Sequence, residues 1–178
     1  GTFTSVTVNH TTGNGSNRLM LVSLSYEDDV TASMAVTGVT YAGYPLSLII
    51  ATNNTEAYSQ IWSLVNPPSG AGTVTVNVTG ASATGDSDSM FVGVTTFSGV
   101  DQSTPLGTAV RASGASASAS VNVASATGQL VFGTLALDDG RTATVGAGQT
   151  QQWNGRTETG NNGIRATAST EPGAASVT

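Results

Sequence analysis

The sequence contains no lysine and no cysteine, and charged residues make up only 9% of it. Its cations are Arg18, Arg111, Arg141, Arg156 and Arg165, with His10 mostly neutral, and the formal net charge is −6. Nucleic-acid and anionic-lipid surfaces are held by clustered Lys and Arg, so this balance speaks against both as partners. Without Cys there is no disulfide framework and no thiol nucleophile, and without Lys no Schiff base. A single His, His10, cannot build a multi-His metal site. A Ser-His-Asp triad would have to use it, and no G-x-S-x-G elbow, phosphate loop or G-x-G-x-x-G is present. Carboxylate pairs for glycoside hydrolysis can be drawn in any acidic protein. The sequence therefore reads as non-enzymatic. Its longest nearly apolar runs, at 19–22 and 46–51, fall far short of the roughly 20 residues a membrane helix needs, so no membrane insertion is expected.

Ser, Thr, Asn and 22 Gly supply the polarity that charge does not. No segment keeps a helical apolar period. Short β-branched and aromatic runs alternate with Thr and Ser instead, at 3–8, 19–26, 35–41, 46–51, 57–65, 73–79 and 90–98. A second series follows at 119–123, 130–137, 143–147, 150–153, 164–169 and 175–178. Turn signals such as Ala42-Gly43, Asn66-Pro67-Pro68 and Gly99 separate them. The expectation is one all-β domain over residues 1–178, an antiparallel β-sandwich of the jelly-roll or immunoglobulin-like kind. Alternation selects Met20, Val22, Leu24, Trp62, Leu64, Val74 and Val76 as core. An acidic, Lys-free, Thr/Ser/Gly/Asn-rich surface points to an extracellular or cell-surface setting.

The chain also repeats itself. Ser5-Val6-Thr7-Val8 matches Ser120-Val121-Asn122-Val123, and the run from Leu19 to Asp28 parallels that from Leu130 to Asp139. Thr73-Val74-Thr75 resembles Ser176-Val177-Thr178. Two related halves, about 3–98 and 119–178, are expected, and the repeat adds Val131, Leu135 and Leu137 to the core. The second half lacks a counterpart of the strand at 90–98. Either the sequence is trimmed from a longer protein, or the sheet has an edge that a partner's strand can fill. The uncharged N-terminal strand of a neighbouring copy is a candidate donor, and such head-to-tail contacts build filaments.

Three groups of residues are candidate sites. Glu27, Asp28 and Asp29, the pair Asp86 and Asp88, and the pair Asp138 and Asp139 have the carboxylate density of a calcium site, set beside solvated turn carboxylates as the plainer reading. Trp153, with Gln151, Gln152, Asn154 and Arg156, has the flat ring and amides that bind sugars. Asn9, Asn14, Asn53 and Asn77 head N-x-S/T glycosylation sequons, of which several arise by chance at this composition.

Four runs together resemble a family of β-sandwich modules in large secreted and surface proteins of bacteria and archaea. They are Gly15-Ser16-Asn17-Arg18-Leu19-Met20-Leu21-Val22, Val39-Thr40-Tyr41-Ala42-Gly43, the run from Ile61 through Asn66-Pro67-Pro68 to Gly70, and the run from Phe97 through Asp101 to Leu106. The resemblance implies display, adhesion or assembly, no catalytic residues, and one further strand beyond Thr178. The leading functional expectation is a structural or adhesive surface module whose partners are itself or neighbouring modules. A carbohydrate-binding module, calcium-assisted through the acidic clusters, is the alternative.

Overall fold

The computed structural model describes residues 2–28, 34–52, 57–82, 88–138, 141–158, 163–175 and 177. Among them there is no α-helix. The strands are β1 (Ser5–Thr12), β2 (Leu19–Glu27), β3 (Ala35–Tyr41), β4 (Tyr44–Pro45), β5 (Ser47–Ala51), β6 (Ala57–Val65), β7 (Gly70–Thr79), β8 (Ser89–Phe97), β9 (Leu130–Leu137), β10 (Thr150–Arg156) and β11 (Arg165–Pro172). Every strand pairing is antiparallel. The protein is all-β, as its alternating pattern predicts. Where the sequence suggests two packed sheets, there are three, ordered β1-β7-β3-β4, β5-β6-β2-β8 and β10-β11-β9.

β2 explains the arrangement, because all nine of its residues are buried. Met20, Val22, Leu24 and Tyr26 project to one side. There they join Val39 and Tyr41 of β3, Val74, Val76 and Val78 of β7, and Trp62 of β6 in one apolar cluster. Met20, Val22, Leu24, Val74 and Val76 are each 0% exposed, and burial of such a side chain stabilises by roughly 1.5–3 kcal/mol. Leu19, Leu21, Ser23 and Ser25 occupy the other side, which the third sheet covers. Ser59 Oγ of β6 and Thr134 Oγ1 of β9 share a hydrogen bond at 3.0 Å. The Phe97 and Phe132 rings meet edge to face at 6.2 Å. The indole of Trp153 rests on Gly93, and the ring of Phe91 rests on Gly155, so each sheet sets an aromatic side chain where the other has no side chain.

The connection from β3 to β4 runs through Ala42 (φ 47°) and Gly43 (φ 85°), both left-handed, as a two-residue hairpin requires. The long connection from β8 to β9 forms no named strand. Among the described residues its ladder contact is the isolated bridge from Val123 to Val177, within the strands expected at 119–123 and 175–178; Ser176 and Thr178 lie outside the described residues. The strand expected at 143–147 is absent. The repeat's further core positions, Val131, Leu135 and Leu137, are only half-buried.

The registers of the second and third sheets correspond. Leu19↔Val65, Val22↔Trp62 and Ser25↔Ser59 have as counterparts Leu130↔Pro172, Gly133↔Ser169 and Ala136↔Ala166. Leu48↔Trp62 and Ile50↔Ile61, with Ile49 bulged between them, match Gln151↔Ser169 and Trp153↔Ala168, with Gln152 bulged between them. Val8↔Val74 in β1 and β7 likewise matches Val123↔Val177. The entry into β2 passes through left-handed Asn17 and the entry into β9 through left-handed Gly128. Asn66 donates its N–H to Arg18 O, and Gly173 donates its N–H to Gln129 O, both at 2.8 Å.

Two predictions follow from this packing. A Cβ at Gly93 would overlap the Trp153 indole, so Gly93→Ala is expected to cost about 1–3 kcal/mol in thermal or urea unfolding while keeping the β-sheet circular dichroism. An unchanged melt would show that the two sheets do not dock through this pair. The second concerns His10, whose Nε2 lies 2.9 Å from Thr96 Oγ1 and whose pKa burial lowers from 6.5. A base with a depressed folded pKa binds protons more readily when unfolded, so its contribution is full above about 6.5 and is lost as pH falls through that value toward the folded pKa. Melting temperatures of the wild type and His10→Gln, compared as pH falls from about 7 to 5.5, should show a steeper decline in the wild type. Parallel declines would remove His10 from the acid response.

Candidate functional site

At one end of the central sheet, the β2–β8 ladder closes on the pair Glu27↔Ser89. One step further the same register sets Asp28 across from Asp88. Glu27, Asp28 and Asp88 are 3%, 3% and 5% exposed, so these are not solvated turn carboxylates. Asp28 Oδ2 accepts the Met34 N–H at 2.9 Å, and Asp88 Oδ2 accepts the Ser82 N–H. Each aspartate thereby ties its strand to the chain entering β3 or leaving β7. Ser89 Oγ lies 3.5 Å from Glu27 Oε2 and accepts from Thr157 Oγ1 at 3.0 Å. Asp88 Oδ1 is buried with no hydrogen-bond partner. Nearby, Tyr26 and Tyr58 stack at 5.0 Å and 5°. Both phenol pKa values are raised, by burial first and also by the negative charge of Asp28.

Asp138 directly follows β9, at the position the sequence repeat would align with Glu27. Asp29, Asp86 and Asp139 lie outside the described residues. Among the described residues, no three carboxylate or imidazole side chains gather as a metal centre.

The sugar-site candidates converge only in part, because Trp153 is set apart from the rest. Gln151, Asn154 and Arg156 share one face of β10, and the bulge at Gln152 turns Trp153 to the other, against Gly93 and 5.9 Å from the Phe132 ring. Asn154 is engaged by its surroundings. It donates to Ala143 O of the connection before β10 at 2.8 Å and to Gln151 Oε1 at 3.3 Å, and it accepts from Arg165 Nη1 at 2.6 Å. Gln151 and Arg156 are exposed. Asn9, Asn14 and Asn77 are exposed too, and Asn9 Oδ1 accepts from Thr73 Oγ1 at 3.1 Å; Asn53 lies outside the described residues. A groove of about 210 Å³ lies among Thr52, Arg111, Ala112 and Ser113, below the roughly 300–1,000 Å³ of small-molecule sites.

The opposite end of the fold holds a hub that sequence reasoning treats only as motif. Arg18 donates through Nε to Pro67 O at 2.8 Å, through Nη1 to Gly15 O at 2.7 Å and through Nη2 to Asn66 Oδ1 at 3.4 Å. Its own carbonyl accepts from Asn66 N–H and from Gln102 Nε2. Asp101 closes the neighbouring turn, accepting the N–H and hydroxyl of both Ser103 and Thr104. Those bonds, the Ser103 hydroxyl foremost, hold its carboxyl down at about 2. Buried Tyr41 donates to Gly70 O at 3.0 Å and accepts from Thr12 Oγ1 at 3.1 Å. The four runs quoted above thus lock one end of the molecule, a structural task with no reacting group. The available signal was a lone arginine after Gly15-Ser16-Asn17 together with the distant Asn66-Pro67-Pro68 turn.

Comparison with protein families, with curated proteins and with solved structures finds no match.

Arg18→Ala leaves carbonyls from two connections without their donor and is expected to cost about 2 kcal/mol in unfolding. Arg18→Lys should recover only part, since one ammonium cannot span three acceptors set by a planar fork. A wild-type melt in Arg18→Ala would dismiss the hub.

Proposed function

We propose that this chain is a β-sandwich of two related halves, acting as an extracellular structural or adhesive module that joins its neighbours by strand addition. The edge of β9 carries the reading. Its register counterpart β2 is paired on both sides, by β6 and β8. Among the described residues β9 is paired on one side only, by β11. The matching ladders, the shared bulge and the paired valine bridges support the two halves. An unpaired strand edge exposes backbone N–H and C=O groups that an added strand satisfies. Lys, the residue that most often blunts such edges, is absent from the chain. A strand from a neighbouring copy makes a head-to-tail contact, which propagates into filaments. β1 is paired with β7 at all eight positions, so donation by β1 exchanges one ladder for another rather than using a free arm. The secreted setting rests on composition and on the motif resemblance.

The test is to give β9 the strand it lacks. A copy of the β8 sequence linked flexibly behind Thr178 should raise the melting temperature by several degrees, at roughly 2–4 °C per kcal/mol gained. It should also convert long particles to one small species in sedimentation. Equal melting and equal size for linked and parent chains would reject the open edge.

A further inference from the structure

Asp28 and Asp88 are buried carboxylates. They are 3% and 5% exposed and sit one step beyond the last pair of the β2–β8 ladder. Each receives one backbone N–H, from Met34 and from Ser82. Neither has a cationic partner among the described residues. Two buried carboxylates at the end of one ladder repel one another, and burial removes the water that would screen them. The Asp88 Oδ1 orphan adds to the imbalance, because a buried acceptor without a donor carries its full desolvation cost. No lysine exists in this sequence to supply the missing charge.

From this geometry we infer that Asp28 and Asp88 together hold a divalent cation of the calcium type between the chain entering β3 and the chain leaving β7. The chemistry fits a hard cation. Calcium takes six to eight oxygens in flexible geometry, and two carboxylates with backbone carbonyls and water can provide them. Bound there, the ion clamps the first two sheets at the end away from Arg18. The site stands apart from the free edge of β9 and does not depend on strand addition.

The probes are calcium and terbium with the full chain. Terbium emission excited through tyrosine should appear, because the Tyr26–Tyr58 stack feels the Asp28 charge, and calcium should compete it away. Calcium at a hundred times its dissociation constant should raise the melting temperature by roughly 5–10 °C over chelator. Asp88→Asn, which keeps the side-chain shape and can still meet Ser82 N–H, should lose both effects, whereas Asp138→Asn should keep them. Absent terbium emission with equal melts in calcium and chelator would overturn the site. So would an Asp88→Asn chain that responds to calcium like the wild type.

Discussion

The structure depends on one strand that has no solvent face. β2 is buried at all nine positions and carries a ladder on each side, so its backbone groups are satisfied in plane and its side chains above and below. This constrains composition. Large residues fill the face toward β3 and β7, where the sheets meet through Met20, Leu24 and Tyr26. On the other face Ser23 and Ser25, each 2% exposed, are short enough to let the third sheet approach. The approach is then set by the exchange of aromatics and glycines, Trp153 over Gly93 and Phe91 over Gly155. It leaves the Trp153 Nε1 donor buried without a partner. That loss is commonly 1–3 kcal/mol, and the indole's buried ring area offsets it.

Much of the first half was legible in the sequence. Period-two alternation named Met20, Val22, Leu24, Val74 and Val76, and each is fully buried. The pattern failed where two physical situations write the same residues. A face reading Leu-Leu-Ser-Ser looks half-solvated, yet under a close neighbour it is interior. Trp153 was misplaced for a related reason. In a regular strand Gln151 and Trp153 share a face, and one bulged residue, Gln152, sends them apart. The acidic residues were visible as doublets, but only the β2–β8 register brings Asp28 opposite Asp88, from positions sixty residues apart. Pairing across such a distance leaves no local trace.

Arg18 shows why distinctive motifs need not mark chemistry. Its donors reach acceptors from the connection before β2 and from the Asn66-Pro67 turn. Gln102 and the Asp101 turn fasten the start of the long connection to the same point. A guanidinium offers several donors in a fixed fork, so the residues it meets must keep their backbone geometry, and Gly, Asn and Pro at fixed spacings result. Such a pattern is as recognisable as a catalytic one.

On the two-half reading, the halves differ most in what covers them. The face holding Met20, Leu24 and Tyr26 corresponds to that holding Val131, Leu135 and Leu137. In the first half two strands of another sheet cover it. In the second, the cover is one bridge, buried Val177, and polar bonds such as Ser169 Oγ to Gln149 Oε1. The third sheet is therefore held chiefly through its other face, by the layer that β2 centres. If the proposed strand addition occurs, the same correspondence suggests its place. β8 packs beneath Trp153 and Gly155, whose register counterparts beside β6 are Ile50 and Thr52. A strand extending β9 would then run toward those two residues, where Arg111 already donates to Ala51 O, and would have to pack beside that segment to bridge both halves.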